Sequence, residues 1–287
     1  MAQTARTLTT TSRPRIRWCS IALTLMLFAP AVLALGSDPL RYRGGVRTSP
    51  TRGLGKKQLN AVLKTLRQKT GLMGLDFDGD GFLQLGDQTQ ITGGSTTARE
   101  LLSAAIDGDT AFDLETHERS RIVAFARLAS PIRFQSQKTS AEIDVLPVEI
   151  DFSDFDRLRG DRQVIASFDL GMVLLHELAH GVLGLRDAPG TSDGLGECEA
   201  HINQIRRELN LPERQSYMAR VADRQSSNSG AVSPHAELLF SRATVPSDSQ
   251  GRTKRELFVL FWEVASVGQI LNETVAPRGR AGTVASQ

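Results

Sequence analysis

The stretch from Ser167 to Leu185 limits the possible folds of this chain more than any other segment. Its apolar residues recur on every turn, which predicts a strong helix: Met172, Val173, Leu174, Leu175, Leu178, Val182 and Leu183. His176 and His180 lie inside it, and residues four apart on a helix stand one above the other. We therefore expect two imidazoles on one face of an apolar helix, where both can bind the same ion.

The five residues His176-Glu-Leu-Ala-His180 form a pattern typical of zinc hydrolases. Glu177 is rotated by about 100° from His176 on the helix, so it reaches a water held by the metal rather than the metal itself. Zinc lowers the pKa of such a water to about 7, and a carboxylate then accepts its proton. The pattern predicts Zn²⁺ at His176 and His180, with Glu177 as general base and then acid.

A catalytic zinc takes three protein ligands and keeps one position for water. Glu199 lies on a second predicted helix, Glu197–Leu209, and is our expected third ligand. Asp187 comes one residue later than the ligand position of metzincins, so it would need a local distortion. The alternatives to Glu199 are Glu197, His201, Asp187 and Asp193.

From His176 to Tyr217 the chain resembles the effector-type zinc metallopeptidases of bacterial pathogens and, more remotely, clostridial neurotoxin light chains. The shared features are the histidine pair, Glu199, and Arg214 spaced three residues before Tyr217. The resemblance implies that Glu199 is the third zinc ligand and that Arg214 and Tyr217 donate to the oxyanion of the transition state. Injected effectors lack a cleavable secretory signal, so their host-cell substrates do not carry over to this chain.

The remaining pattern indicates an α+β fold: one zincin-like domain with a small mixed sheet, the two-histidine helix and a C-terminal hairpin. Segments 236–242 and 256–267 flank a polar loop and are expected to pair antiparallel, although a helix competes for the second segment. Residues 37–55 are expected to be a flexible lead-in, 56–275 the metallopeptidase domain and 276–287 a disordered tail.

The first 36 residues indicate export. Four arginines precede an apolar run that ends in a small-x-small site before Ser37, which is typical of a cleaved signal peptide. The alternative is a membrane anchor formed by residues 18–35. Of the 34 basic residues, four lie in this segment and no acidic one does, so the mature chain has 30 basic against 32 acidic residues. Cys198 is then its only thiol, which rules out an internal disulfide.

The segment from Asp76 to Asp87 matches part of an EF-hand loop, with Asp76, Asp78, Asp80 and Asp87 as candidate Ca²⁺ ligands. Its flanks are poor in helix formers, and apolar residues alternate on both sides of an Asp/Gly turn. A plain β-hairpin explains the same segment. His117 and His235 have no patterned partner and are expected on the surface.

These features together predict an exported zinc metallopeptidase, periplasmic or secreted, acting on a peptide or protein substrate. No long basic run suggests a nucleic-acid partner, and a membrane is a partner only if the N-terminal segment is retained. One alternative is a secreted metal-stabilised binding protein without turnover, in which Cys198 helps to fill the metal site. Another is a calcium-binding module built on Asp76–Asp87.

Overall fold

The computed structural model describes residues 43–87, 89–135, 142–189, 194–225, 232–244 and 254–267. The predictions for residues 1–36 and 276–287, and for Asp193 as a ligand, fall outside these ranges. Within the described ranges, no helix combines the length and the apolar character that a membrane crossing requires.

The protein mixes helices with small sheets. Its helices are α1 (Lys56–Thr70), α2 (Thr96–Asp107), α3 (Phe152–Phe155), α4 (Arg162–Ala166), α5 (Leu170–Leu183) and α6 (Gly196–Glu208). Its strands are β1 (Gly45–Thr48), β2 (Asp76–Phe77), β3 (Leu83–Gln84), β4 (Ala111–Thr116), β5 (Ala126–Leu128), β6 (Ile132–Gln135), β7 (Glu142–Ile150), β8 (Glu213–Arg214), β9 (Arg220–Gln225), β10 (Val232–Thr244) and β11 (Lys254–Glu263). The expected α+β composition is thus confirmed.

The first sheet is mixed, as expected. β1, β4 and β7 run parallel in that order, and β5 and β6 pair antiparallel with different parts of β7. Among the described residues, β5 and β6 have no further strand partner, so they form an edge of the sheet.

The expectation of a flexible lead-in over residues 37–55 is wrong for β1. Its residues 45–47 are buried, and Arg47 forms a buried ion pair with Asp113 of the neighbouring β4. The Gly-, Arg- and Ser-rich composition gave no sign of this strand. It is held by one buried apolar residue, Val46, and by a charge pair, whereas a run of apolar residues is the usual signal of a strand. The folded domain therefore begins before residue 56.

Two buried apolar clusters meet at α5. The first lies among α1, α2, α5, α6 and the mixed sheet. Four of its members on α5 are Met172, Leu174, Leu175 and Leu178. The second takes Val173 from α5 and packs it with residues of α4, β10 and β11. A helix that is apolar all round is buried on all sides, and α5 is buried continuously from Leu170 to Ala179.

The C-terminal hairpin is confirmed. β10 and β11 pair antiparallel from His235 opposite Glu263 to Thr244 opposite Lys254, and β8 and β9 add to the other side of β10. The competing prediction of a helix over residues 256–267 is therefore wrong for β11. Leu238, Phe240 and Leu260 point into the second cluster, as the alternation along the strands requires.

The segment from Asp76 to Asp87 forms the alternative to the EF-hand, a short hairpin of β2 and β3. Asp78 organises its turn by accepting hydrogen bonds from the backbone N–H groups of Asp80 and Phe82, at 3.0 and 2.9 Å. Asp87 instead accepts from Thr89. Within the described ranges, the four candidate calcium aspartates do not converge into a group that could hold an ion.

Candidate metal centre

Both ends of α5 are capped, which fixes its two histidines relative to the core. Asp169 accepts a hydrogen bond from Met172 N at 3.0 Å and also pairs with the buried Lys69 at 2.7 Å. At the other end Gly184 has φ 65°, a left-handed conformation that glycine adopts without steric cost, and its N–H donates to His180 O. The helix therefore ends one turn after His180.

The Nδ1 atoms of the two histidines are each engaged with an acceptor. Nδ1 of His180 lies 2.7 Å from the carbonyl oxygen of Leu185, and Nδ1 of His176 lies 3.3 Å from the carboxylate of Glu199. A carbonyl or carboxylate oxygen only accepts, so each Nδ1 is the donor. In its neutral form each imidazole therefore presents an Nε2 lone pair, and these two Nε2 atoms are 3.2 Å apart.

Asp187 places two carboxylate oxygens in front of the imidazoles and completes a donor group of three residues. Its Oδ1 lies 3.1 Å from Nε2 of His176, and its Oδ2 lies 3.2 Å from Nε2 of His180. Donors around a tetrahedral zinc, at about 2.0–2.1 Å from the ion, are roughly 3.3–3.4 Å from one another. Oδ1 is buried and has no hydrogen-bond partner among the described residues. When both histidines are neutral, electron pairs face one another at this spacing and fit a cation between them.

Cys198 belongs to the same group. One donor atom from each of His176, His180, Asp187 and Cys198 lies within 4.8 Å of the others, so these four residues could hold a metal ion. The thiol is fully buried and donates to the carbonyl oxygen of His176 at 3.4 Å.

The path of the chain after α5 brings Asp187 into this position. The left-handed Gly184 stops the helix and turns the chain, and Asp187 then pairs with Gly196 in an isolated β-bridge at the start of α6. The helix end at Leu183 leaves Asp187 close enough to fold back onto the two histidines, although it comes one residue later than the ligand position of metzincins. Gly184 itself was the sequence signal for this helix end, because glycine is the usual residue just beyond a helix end.

The structure places Glu199 outside the donor group. It lies behind His176, where Oε2 contacts Nδ1 and also accepts from Arg214 at 3.1 Å. Oε1 accepts from Arg206, a fully buried arginine. Burial opposes ionisation of Glu199, but the two guanidinium groups outweigh it and hold its pKa well below the usual range. Its carboxylate therefore orients His176 in this geometry.

Arg214 and Tyr217 both lie at the site, but in different roles. The guanidinium of Arg214 is buried and donates to Glu199, to Ser216 O and to Tyr217 O. The hydroxyl of Tyr217 donates to Oδ2 of Asp187 at 2.7 Å, and its ring stacks on His176 with centroids 6.2 Å apart. Burial, with Asp187 nearby, raises the pKa of Tyr217. Tyr217 thus faces the donor group, and Arg214 supports it from behind.

Glu177 points from α5 to the sheet edge. Its Oε2 accepts a hydrogen bond of 2.7 Å from the backbone N–H of Leu128 in β5. Burial raises the pKa of Glu177 above the ordinary glutamate value, against the opposing effect of His176 and His180. A carboxylate with a raised pKa is a stronger proton acceptor, as a general base requires.

Asp187 and the two histidines are electrostatically coupled, and the group is accessible to solvent. Burial disfavours the charged form of His180, but hydrogen bonding to Asp187 outweighs it and raises the pKa of His180 to about 10. Burial likewise opposes ionisation of Asp187, yet the two histidines lower its pKa. The Asp187 and His180 side chains are 29% and 18% exposed, whereas Glu199 is 1% exposed. Solvent therefore reaches the group from the Asp187 side.

The other residues considered as third ligands lie elsewhere. Glu197 is exposed on α6, and His201 is half-buried outside the donor group. Burial lowers the pKa of His201.

Comparison with known proteins adds no assignment to this geometry. No protein family model matches the chain, and no curated protein or solved structure shows significant similarity to it. The function must therefore be argued from the site alone.

Proposed function

We propose that this chain is an exported zinc metallopeptidase with a zincin-like α+β domain. In this proposal His176, His180 and Asp187 hold the ion. The observation that carries it is the convergence of four atoms: the two Nε2 atoms lie 3.2 Å apart, Oδ1 of Asp187 lies 3.1 Å from that of His176, and Oδ2 lies 3.2 Å from that of His180. The Nδ1 atom of each imidazole contacts an acceptor, which leaves Nε2 to face the ion. Imidazole and carboxylate are common zinc ligands.

Asp187 replaces Glu199 as the proposed third ligand. Glu199 contacts Nδ1 of His176 and pairs with two arginines. A residue in this position orients a metal-binding histidine from behind. Asp187 contacts the Nε2 side of both histidines and carries an oxygen, Oδ1, that has no hydrogen bond with any described residue.

The surrounding residues have the positions that peptide hydrolysis needs. A bound zinc would polarise the substrate carbonyl and acidify a water. Glu177 would take the proton of the attacking water and later return it to the leaving amine. Tyr217 would turn its hydroxyl from Asp187 to the developing oxyanion, and Arg214 would hold Tyr217 in place. β5, which contacts Glu177, lies at a sheet edge where an extended peptide can pair.

The test compares metal content with hydrolysis of an unfolded protein. We expect Asp187→Asn to lower the zinc content by about one ion per chain and to abolish cleavage, because it removes a charged donor. Glu197→Gln, an exposed change on α6, is the matched control and should alter neither. Full zinc content in Asp187→Asn would remove Asp187 from the ligand set. A zinc-loaded parent that cleaves no unfolded protein would refute the peptidase assignment.

A second candidate function is a metal-stabilised binding protein without turnover, and the position of Cys198 favours it. If the thiolate is a fourth ligand, no position remains for water. Cobalt-substituted protein distinguishes the two, because a thiolate ligand gives an intense near-ultraviolet charge-transfer band. A band that disappears in Cys198→Ser would support the closed site. Its absence from the parent would support the open, catalytic one.

A further inference from the structure

A second cluster of metal-binding side chains lies outside the α5 donor group. Glu115 of β4 and Glu149 of β7 are direct neighbours across the parallel strands, and His117 follows β4. One donor atom of each lies within 4.8 Å of the others. His117 was expected on the surface without a partner, yet its side chain is 15% exposed and contacts both carboxylates.

Each carboxylate has one oxygen fixed by the protein and the other directed at His117. Ser49 donates to Oε1 of Glu115 at 3.1 Å, while Oε2 lies 3.4 Å from Nε2 of His117. Arg127 donates to Oε2 of Glu149 at 2.6 Å, while Oε1 lies 3.7 Å from the same Nε2. Metal ligands are commonly oriented in this way by hydrogen bonds to their outer atoms.

The charges of this cluster favour a further cation, since it holds two carboxylates and Arg127 pairs with one of them, Glu149. Two glutamates directly opposite each other on neighbouring strands repel. The exposed Arg52 lies 3.3 Å from Nε2 of His117. Because arginine only donates, Nε2 is the acceptor in this contact, and its lone pair becomes available to an ion when Arg52 moves away. Neutral imidazole is the form that binds metals.

We propose that Glu115, His117 and Glu149 bind a second divalent cation, of the zinc or manganese kind. Two carboxylate oxygens and one imidazole nitrogen suit such ions better than calcium, which takes oxygen ligands only. The ion joins the ends of β4 and β7, with Arg52 swinging out into solvent. It also steadies β5, because Arg127 pairs with Glu149 and the next residue, Leu128, holds Glu177.

The test is zinc and manganese content by elemental analysis of the whole protein after loading with each metal alone and dialysis. We expect two ions per chain in the parent with at least one of the metals, and one ion in His117→Gln. His235→Gln is the matched control, since His235 is a partly buried histidine outside both donor groups, and it should keep two. Glu115→Gln, which preserves the shape of its side chain, gives a second variant if His117→Gln does not fold.

The outcomes separate this inference from the proposed function. His180→Gln should remove the α5 ion and leave the ion at His117. A parent whose single ion is lost in His180→Gln and kept in His117→Gln would overturn the second site alone. A parent whose single ion is lost in His117→Gln and kept in His180→Gln would support the second site and refute the α5 site.

Discussion

Replacing Glu199 by glutamine should destabilise the protein even when no metal is present. The carboxylate is 1% exposed and pairs with Arg206 and Arg214, which are themselves 2% and 8% exposed. The substitution preserves the shape of the side chain but leaves two buried guanidinium groups without a counter-charge. If Glu199 were chiefly a metal ligand, the change would matter only to the metal-loaded protein.

The size of the effect follows from the burial of this cluster. Removing one partner of a buried ion pair costs about 3–5 kcal/mol, because the remaining charge stays desolvated. For a domain of this size each kcal/mol lowers the melting temperature by about 2–4 °C, so the expected drop is roughly 6–20 °C. Glu197→Gln, on the exposed face of the same helix, should change the free energy of unfolding by less than about 0.5 kcal/mol.

The assay is urea unfolding in the presence of a chelator, with the parent, Glu199→Gln and Glu197→Gln measured side by side. The chelator removes the contribution of any bound metal, so the difference reports the ion-pair cluster alone. A loss below about 1 kcal/mol in Glu199→Gln, together with loss of zinc from the untreated variant, would refute our interpretation. Glu199 would then be a metal ligand, as the sequence resemblance implies.

Three further predictions follow from described contacts. Glu177→Gln should retain zinc and lose hydrolysis, measured by metal analysis and peptide cleavage; undiminished cleavage would exclude Glu177 as the base. Tyr217→Phe should keep its zinc and lower kcat by about 10²–10³-fold through loss of an oxyanion donor, and an unchanged kcat would remove Tyr217 from the mechanism. Burial opposes ionisation of Glu208, but hydrogen bonds from Ser95 and Thr97 lower its pKa from 4.5 to about 2. Its stabilising effect is therefore complete above pH 4.5 and is lost as the pH falls towards 2. Because this carboxylate is exposed, it contributes no more than about 1 kcal/mol to the free energy of unfolding. The urea midpoints measured at pH 5.5 and 2.5 should differ more in the parent than in Glu208→Gln. Equal differences would contradict the stabilising role of Glu208.

Features set by local sequence could be predicted. The helix that carries His176 and His180 follows from its apolar residues and the four-residue spacing, and both are properties of one short segment. The C-terminal hairpin follows in the same way from alternating strand formers. Nothing outside these segments was needed to place them.

The proposed third metal ligand, Asp187, depends on geometry that spacing rules do not contain. A prediction from residue spacing assumes that the chain follows a standard path after His180. In the structure, the left-handed Gly184 and the bridge between Asp187 and Gly196 determine the path of the chain. The polar positions of α6 were visible in the sequence. The sequence could not show that Glu199 contacts the Nδ1 side of an imidazole, because that depends on how α5 and α6 pack.

The sequence patterns did not predict strand β1 or the cluster around His117, for a related reason. Both are held by charged side chains from distant segments: Arg47 pairs with Asp113, and Glu149 lies beside Glu115. A pattern of apolar residues carries no information about such pairs. They become visible only when the register of the sheet is known.

The position of α5 between two apolar clusters has a consequence for how this protein tolerates change. Because Met172 and Leu175 belong to one cluster and Val173 to the other, the helix is packed on opposite sides along its buried part, from Leu170 to Ala179. A cavity opened in either cluster would shift the same two imidazoles, even where it lies far from them along the chain. Substitutions in the hairpin core, at Leu238 or Leu260, should therefore be felt as changes in metal affinity as well as in stability.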